Sequence, residues 1–248
     1  MSVVLIGIDD TDNQTSPGTG QLARRLAVEL ERRGARGLGI TRHQFLLDDR
    51  IPYTTHNSGA CVAVEWPGAP DELEFAIDLI ENWAATGSDP GICIVANEDV
   101  PPAVVEWGWA ATRQVLTLDG AINLAAEDEL CLRALGGTGG GIIGAMASVG
   151  LRADGNEGRF LDWPGLRMLP EVAEIGDLVG LGIEVEHHMP IGAGPYKSDP
   201  VGHNRARYKT MNWVRPRLVR GKPVWPVEWS ENDSAWVPVD RKKTRPLE

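Results

Sequence analysis

Residues Val3 to Ile8 form an unbroken apolar run that passes directly into Asp9-Asp10-Thr11-Asp12. The pattern predicts a strand buried on both faces, with three carboxylates gathered where it ends. A strand of this kind belongs inside a layered fold, and the next segments fit one. Leu22, Leu26 and Leu30, with Ala23 and Ala27, share one face of a helix whose other sides carry Arg24, Arg25, Arg32 and Arg33. Gly34 is placed to stop it. Residues 37–47 and 60–66 read as strands, 72–83 as a helix, 91–95 as a strand, and 104–114 and 124–135 as helices. The glycine cluster 136–141 precedes a small-residue helix over 142–149. This order predicts an α+β (α/β-like) chain. Beyond Trp163, Pro and Gly recur, and residues 224–229 and 235–239 read as a hairpin.

Composition bears on partners. The 248 residues carry a net charge of −11, which works against bulk attraction to nucleic acid or anionic lipid. The average conceals a split: 12 Lys and Arg against 6 Asp and Glu from Lys197 onward, and 12 against 29 before it. Four of the nine Trp (Trp213, Trp225, Trp229, Trp236) fall in that basic segment. Basic residues interleaved with Trp can hold RNA, so residues 197–248 are its candidate contact; the alternative is a solvated basic face packed on the acidic part. No apolar stretch reaches membrane-span length, so no membrane partner is expected. The start of the chain lacks the basic residues of a secretory signal. Cys61, Cys93 and Cys131 form no CxxC pair, which points to packing residues in a reducing cytoplasm. His187, His188 and His203 are too scattered for a metal site of their own.

Three motifs carry possible chemistry. In the first, Asp9, Asp10 and Asp12 repel one another unless neutralised, and they suit Mg²⁺ completed by phosphate oxygens. If strand geometry continued, Asp10 and Asp12 would point the same way and Asp9 the other. The alternative is a solvated Asp-rich turn whose side chains cap backbone N–H groups. The second is Gly18-Thr19-Gly20 at a helix start, where free N–H groups take phosphate, or where Thr19 is simply the N-cap. The third is Gly136-Gly137-Thr138-Gly139-Gly140-Gly141. So many glycines suggest a phosphate or substrate loop, or a very tight turn. Gly139-x-Gly141-x-x-Gly144, with Asp162 beyond, also matches the dinucleotide fingerprint as text, but that fingerprint needs a preceding strand where a helix is expected. A polar loop ending in Asn57-Ser58-Gly59 is a weaker candidate.

On these residues the chain resembles the archaeal agmatinylcytidine synthetases, which modify the anticodon cytidine of an isoleucine tRNA. The matches run in order over roughly residues 3–163. They comprise Ile6-Gly7-Ile8-Asp9-Asp10-Thr11-Asp12, Gly18-Thr19 ahead of Leu22-Ala23, Ile51-Pro52-Tyr53-x-Thr55-x-Asn57-x-Gly59-Ala60, Asp89-Pro90-Gly91, and Gly139-x-Gly141-Ile142-Ile143-Gly144-Ala145.

The resemblance implies a kinase-type N-terminal region with ferredoxin-like elements. It also implies ATP and Mg²⁺ held at Asp9, Asp10 and Asp12, a phosphorylated threonine at Thr19, and displacement of the activated oxygen by an amine. Thr11, Gly18, Gly20, Asn57, Gly59, Gly137, Thr138, Gly139, Gly140 and Gly141 are the expected nucleotide-site residues. The expected organisation is an ATP-binding region over 1–118, a ferredoxin-like or glycine-loop region over 119–196, and a smaller β-rich segment over 197–248. The family's OB-fold and cysteine-bearing zinc ribbon are not expected in these 248 residues, where no cysteine pair follows Cys131. Gly137 to Gly141 is uncharged where the family carries basic residues. The expectation is therefore an ATP-dependent phosphotransferase or ligase acting on a small molecule or nucleotide base. An RNA-modifying enzyme using its basic tail and a non-catalytic nucleotide-binding regulator are the alternatives.

Overall fold

The computed structural model describes residues 1–54, 56–188, 206–210 and 214–239. Its first strand, β1 (Ser2–Asp9), is followed by α1 (Thr19–Arg32), β2 (Arg36–Gln44), β3 (Ser58–Trp66), α2 (Glu74–Trp83) and β4 (Gly91–Ala96). These strands lie side by side in the order β4-β1-β3-β2, each antiparallel to its neighbour. Then come α3 (Pro102–Ala111), α4 (Leu118–Glu127), β5 (Cys131–Ala134), α5 (Gly141–Asp154) and β6 (Arg159–Asp162). Strand β5 extends the sheet beyond β4, and β6 extends it beyond β2.

The unbroken apolar run has a clear cause. Val4, Ile6 and Ile8 pack with Leu22, Ala23, Leu26 and Leu30 of α1 and with Ala76 and Ile80 of α2. Leu5, on the opposite face, packs with Val104 of α3, Ala121 of α4 and Ile142, Ala145, Met146 and Val149 of α5. Both faces are covered by helices, so the alternation expected of a half-exposed strand disappears. Helix α5 is buried nearly all round and runs close to the sheet. A Cβ on Gly7 would overlap the Ala145 carbonyl, and one on Gly91 would overlap Gly141. Cys61 and Cys93 sit in this second core, where burial pushes the Cys61 thiol up to about 12 and the Cys93 thiol higher still.

Two expectations change. Residues 124–135 are not one helix: α4 begins earlier, with the Thr117 side chain accepting from the Gly120 N–H, and Glu129 has a left-handed backbone (φ 52°) that turns the chain into β5. A strand therefore does precede the glycines. It pairs antiparallel with β4, so the parallel βαβ unit of a dinucleotide fold is not formed. Strand β2 also stops at Gln44, and the Phe45 N–H then donates to the Asn57 carbonyl at 2.9 Å.

The remainder is β-rich. After β7 (Val172–Glu174), α6 (Ile175–Gly180) and β8 (Glu184–His188) come β9 (Arg207–Lys209), β10 (Arg217–Val219), β11 (Lys222–Ser230) and β12 (Ala235–Pro238). The expected hairpin is the antiparallel β11–β12 pair. The core of this part gathers Trp225, Tyr208, Val227 and Leu178, and β10 joins it to β6 at Arg217–Arg159. His203 and Trp213 lie outside the described residues. His187 bonds the Tyr208 hydroxyl at 3.0 Å, and no cluster of three His, Cys, Asp or Glu suited to a metal occurs among the described residues. No helix there is long and apolar enough to cross a membrane.

Candidate active site

One edge of the sheet brings together the end of β1, the starts of β3 and β4, and the start of α5. A cavity of about 180 Å³ opens there. Asp9, Asp10, Asp12 and Asp89 line it with Arg50, with Thr138, Gly140, Gly141 and Gly144, and with Phe45, Tyr53, His56, Gln114 and Leu116. Thus the acid turn and the glycine loop, far apart along the chain, border one space.

The three aspartates diverge. Strand geometry ends at Asp9, and Asp10 is left-handed (φ 51°), so Asp10 and Asp12 do not share the orientation a continued strand would give them. Asp9 lies against Gly144 of α5, where any side chain would collide with its carboxylate. Desolvation, then repulsion from Asp10 and Asp12, pushes the Asp9 carboxyl up to about 7 despite a bond from the Asp10 backbone. Asp10 is raised to about 6 by desolvation and by the charges of Asp89 and Asp12. Asp12 turns toward α1. Its Oδ1 accepts the Thr19 hydroxyl at 2.8 Å and the Thr19 N–H at 3.3 Å, while its Oδ2 accepts the Thr54 hydroxyl at 3.2 Å. The Thr11 hydroxyl donates to Thr19 Oγ1 at 3.1 Å.

Whether a divalent cation fits is decided by these groups. The shared orientation of Asp10 and Asp12 expected from a continued strand is not formed. In its place Asp9, Asp10, Asp12 and Asp89 line an open cavity without a Lys or Arg ion pair among the described residues, Arg50 in the same lining being paired with Asp48. Asp9 and Asp10 are pushed well above the usual carboxylate range. That arrangement suits a cation that takes one or two carboxylates and completes its shell with phosphate oxygens and water, the habit of Mg²⁺.

The other expected residues divide. Gly18 is the exposed N-cap of α1 and gives it no side-chain cap, but the first helical N–H, that of Thr19, is already bonded to Asp12. Thr19 is therefore the first helical residue rather than the cap. Gly20 faces Leu161, and Gly59 lies in β3 against Ser148 and the Gly144 carbonyl, so both are packing positions away from the cavity. Asn57 lines the cavity, yet its amide is committed to the Leu46 carbonyl at 2.7 Å. Thr138, Gly140 and Gly141 reach the cavity; Gly137 and Gly139 are left-handed turn residues (φ 59° and 85°) outside its lining. Asp89, Gln114 and Phe45 also line the cavity and were not among the expected site residues. For Asp89 a signal exists in Asp89-Pro90-Gly91, because an acid just before a strand antiparallel to β1 arrives at the same edge as the acid turn.

No protein-family model matches the chain. The isoleucine-tRNA 2-agmatinylcytidine synthetase TiaS of Pyrococcus horikoshii is 32% identical over 155 residues, 58% of this chain and 35% of that protein. The crystal structure of TiaS in complex with its isoleucine tRNA and ATP aligns with a TM-score of 0.54 at 26% identity, over 60% of this chain and 36% of that one. The complex of TiaS with the tRNA, AMPCPP and agmatine aligns at 0.52 and 25% identity, with the same coverage. The resemblance read from the motifs is thus present in both sequence and fold. The chain spans about a third of the length of the curated relatives it matches.

Proposed function

We propose that the chain is an ATP- and Mg²⁺-dependent enzyme of the agmatinylcytidine synthetase type. In this reading it phosphorylates an oxygen on a nucleotide base or small molecule, making that oxygen a leaving group for an amine. The observation that carries the reading is the Thr19–Asp12 pair, in which Asp12 lines the cavity and binds the buried Thr19 hydroxyl. A hydroxyl at 2.8 Å from a carboxylate oxygen is an acceptor beside its general base. When bound, Mg-ATP supplies the transferable phosphoryl group and the charge that offsets it. Asp12 Oδ1 would take the Thr19 proton as a phosphoryl group passes from ATP to Thr19 Oγ1 with ADP as the leaving group. Phosphorylation of the substrate oxygen would be a separate transfer from ATP, again releasing ADP, with the cation held by Asp10 and Asp12 and the substrate received by Phe45, Tyr53 and Gln114. The solved TiaS complexes with ATP and with AMPCPP and agmatine support this assignment of ligands.

The β4-β1-β3-β2 order over residues 2–96 also supports a ferredoxin-like unit in that stretch, earlier than the 119–196 expected. An RNA base is the acceptor the relatives favour, since TiaS was solved with its isoleucine tRNA. Arg207, Lys209, Arg217 and Arg220 in the C-terminal strands and turns are the candidate contacts.

Incubation with Mg-ATP, followed by analysis of nucleotide products and protein mass, tests the reading. ADP with a phosphate on Thr19 supports it. AMP with pyrophosphate shifts it to adenylation. ATP binding without turnover, with tRNA and agmatine both present, replaces it with the regulator.

A further inference from the structure

Five glycines in six residues suggest a cradle for phosphate, but the cradle is filled from within. The Asp89 carboxylate accepts the Gly139 N–H at 2.7 Å on Oδ1, and the Gly140 N–H at 3.1 Å together with the Thr138 hydroxyl on Oδ2. These are the donors an anion would use in a loop leading into a helix. The glycines are explained by the same carboxylate. A Cβ on Gly137 would stand 2.7 Å from Asp89 Cγ, one on Gly140 would stand 3.3 Å from Oδ2, and one on Gly141 would overlap the Asp89 carbonyl. The loop is glycine-rich because it closes around Asp89. On its other side Asp89 is tied to the acid turn, its N–H donating to the Asp10 carbonyl at 3.2 Å.

We infer that Asp89 is a positioning residue: its carboxylate occupies the anion position of the glycine loop and locks that loop to the acid turn. The loop then lines the cavity without offering its amides to a phosphate chain, and nucleotide phosphates are left to the Asp10, Asp12 and Thr19 side. Only this last consequence rests on the proposed function; the lock itself does not.

The test is amide exchange across residues 136–141, with and without inorganic phosphate, and needs no nucleotide. In the wild-type chain the Gly139 and Gly140 amides exchange slowly, and phosphate does not change them. In Asp89→Ala they exchange at least about tenfold faster, as expected for losing hydrogen bonds to a charged acceptor, and inorganic phosphate slows them again. A merely structural role would loosen the loop without creating phosphate protection, and that result overturns the inference. So does wild-type protection by phosphate equal to that of the variant. Should Asp89→Ala fail to fold, Asp89→Asn serves: its single amide oxygen replaces only part of the acceptor set, and intermediate exchange with weaker phosphate protection is expected. Failure of the Mg-ATP assay would leave all these rates unchanged, so the two readings fail separately.

Discussion

Asp9 and Gly144 meet face to face: a Cβ on Gly144 would overlap Asp9 Oδ2. The closeness of α5 to the end of β1 is what desolvates the carboxyl. Gly144→Ala is therefore expected to destabilise the chain by about 1–3 kcal/mol through overpacking, read as a lower urea midpoint with an unchanged slope. Gly176→Ala in α6, where a Cβ meets nothing within 4 Å, is the control, with a gain of about 0.4–1 kcal/mol.

Stability in the absence of divalent cations should fall as pH rises. Asp9 stands at about 7 when folded, against 3.8 for an ordinary aspartate. A raised folded pKa gives stability that is complete below the unfolded value and lost as pH climbs through the folded one. Thermal melts in chelator should show Tm declining between about pH 4 and pH 8. Asp9→Asn should flatten that decline and melt higher than wild type at about pH 8; an unaltered slope would remove Asp9 as its source.

Thr19→Ser keeps a hydroxyl for Asp12, whereas Thr19→Val does not. Mass spectrometry after Mg-ATP treatment should find phosphate on the Ser variant and none on the Val variant. Loss of the charged hydrogen bond should also cost Thr19→Val about 1.5–3 kcal/mol of stability, measurable without nucleotide. Phosphorylation persisting in Thr19→Val would move the acceptor elsewhere.

The three cysteines are expected to react in a fixed order. Burial raises all three thiols, but Cys61 and Cys93 are fully buried whereas Cys131 is half-buried at the start of edge strand β5. Iodoacetamide should label Cys131 first and reach the other two only on unfolding, because the thiolate is the reactive form. Peptide mapping over a time course decides this, and native labelling of Cys93 ahead of Cys131 would contradict the packing of β4 under α5.

Much of the molecule is legible along the chain. The buried strand, the amphipathic α1 with its stop at Gly34, the terminal hairpin and the three site motifs obey local rules of periodicity and turn chemistry. The boundary between α4 and β5 does not, because an edge strand of four residues has too little pattern to compete with a neighbouring helix. One left-handed residue, Glu129, makes the change.

Residue order alone identifies which groups are chemically able to act: acids ending a buried strand, a threonine heading a helix, and a glycine loop before a small-residue helix. Packing between distant segments settles what each one faces. The left-handed turn at Asp10 ends the strand geometry that would have pointed Asp10 and Asp12 the same way. The antiparallel pairing of β4 with β1 delivers Asp89 to the same edge, where it takes the glycine-loop amides. Both outcomes depend on contacts between segments dozens of residues apart, and the periodicity of a single segment carries no information about which distant carboxylate will satisfy its N–H groups.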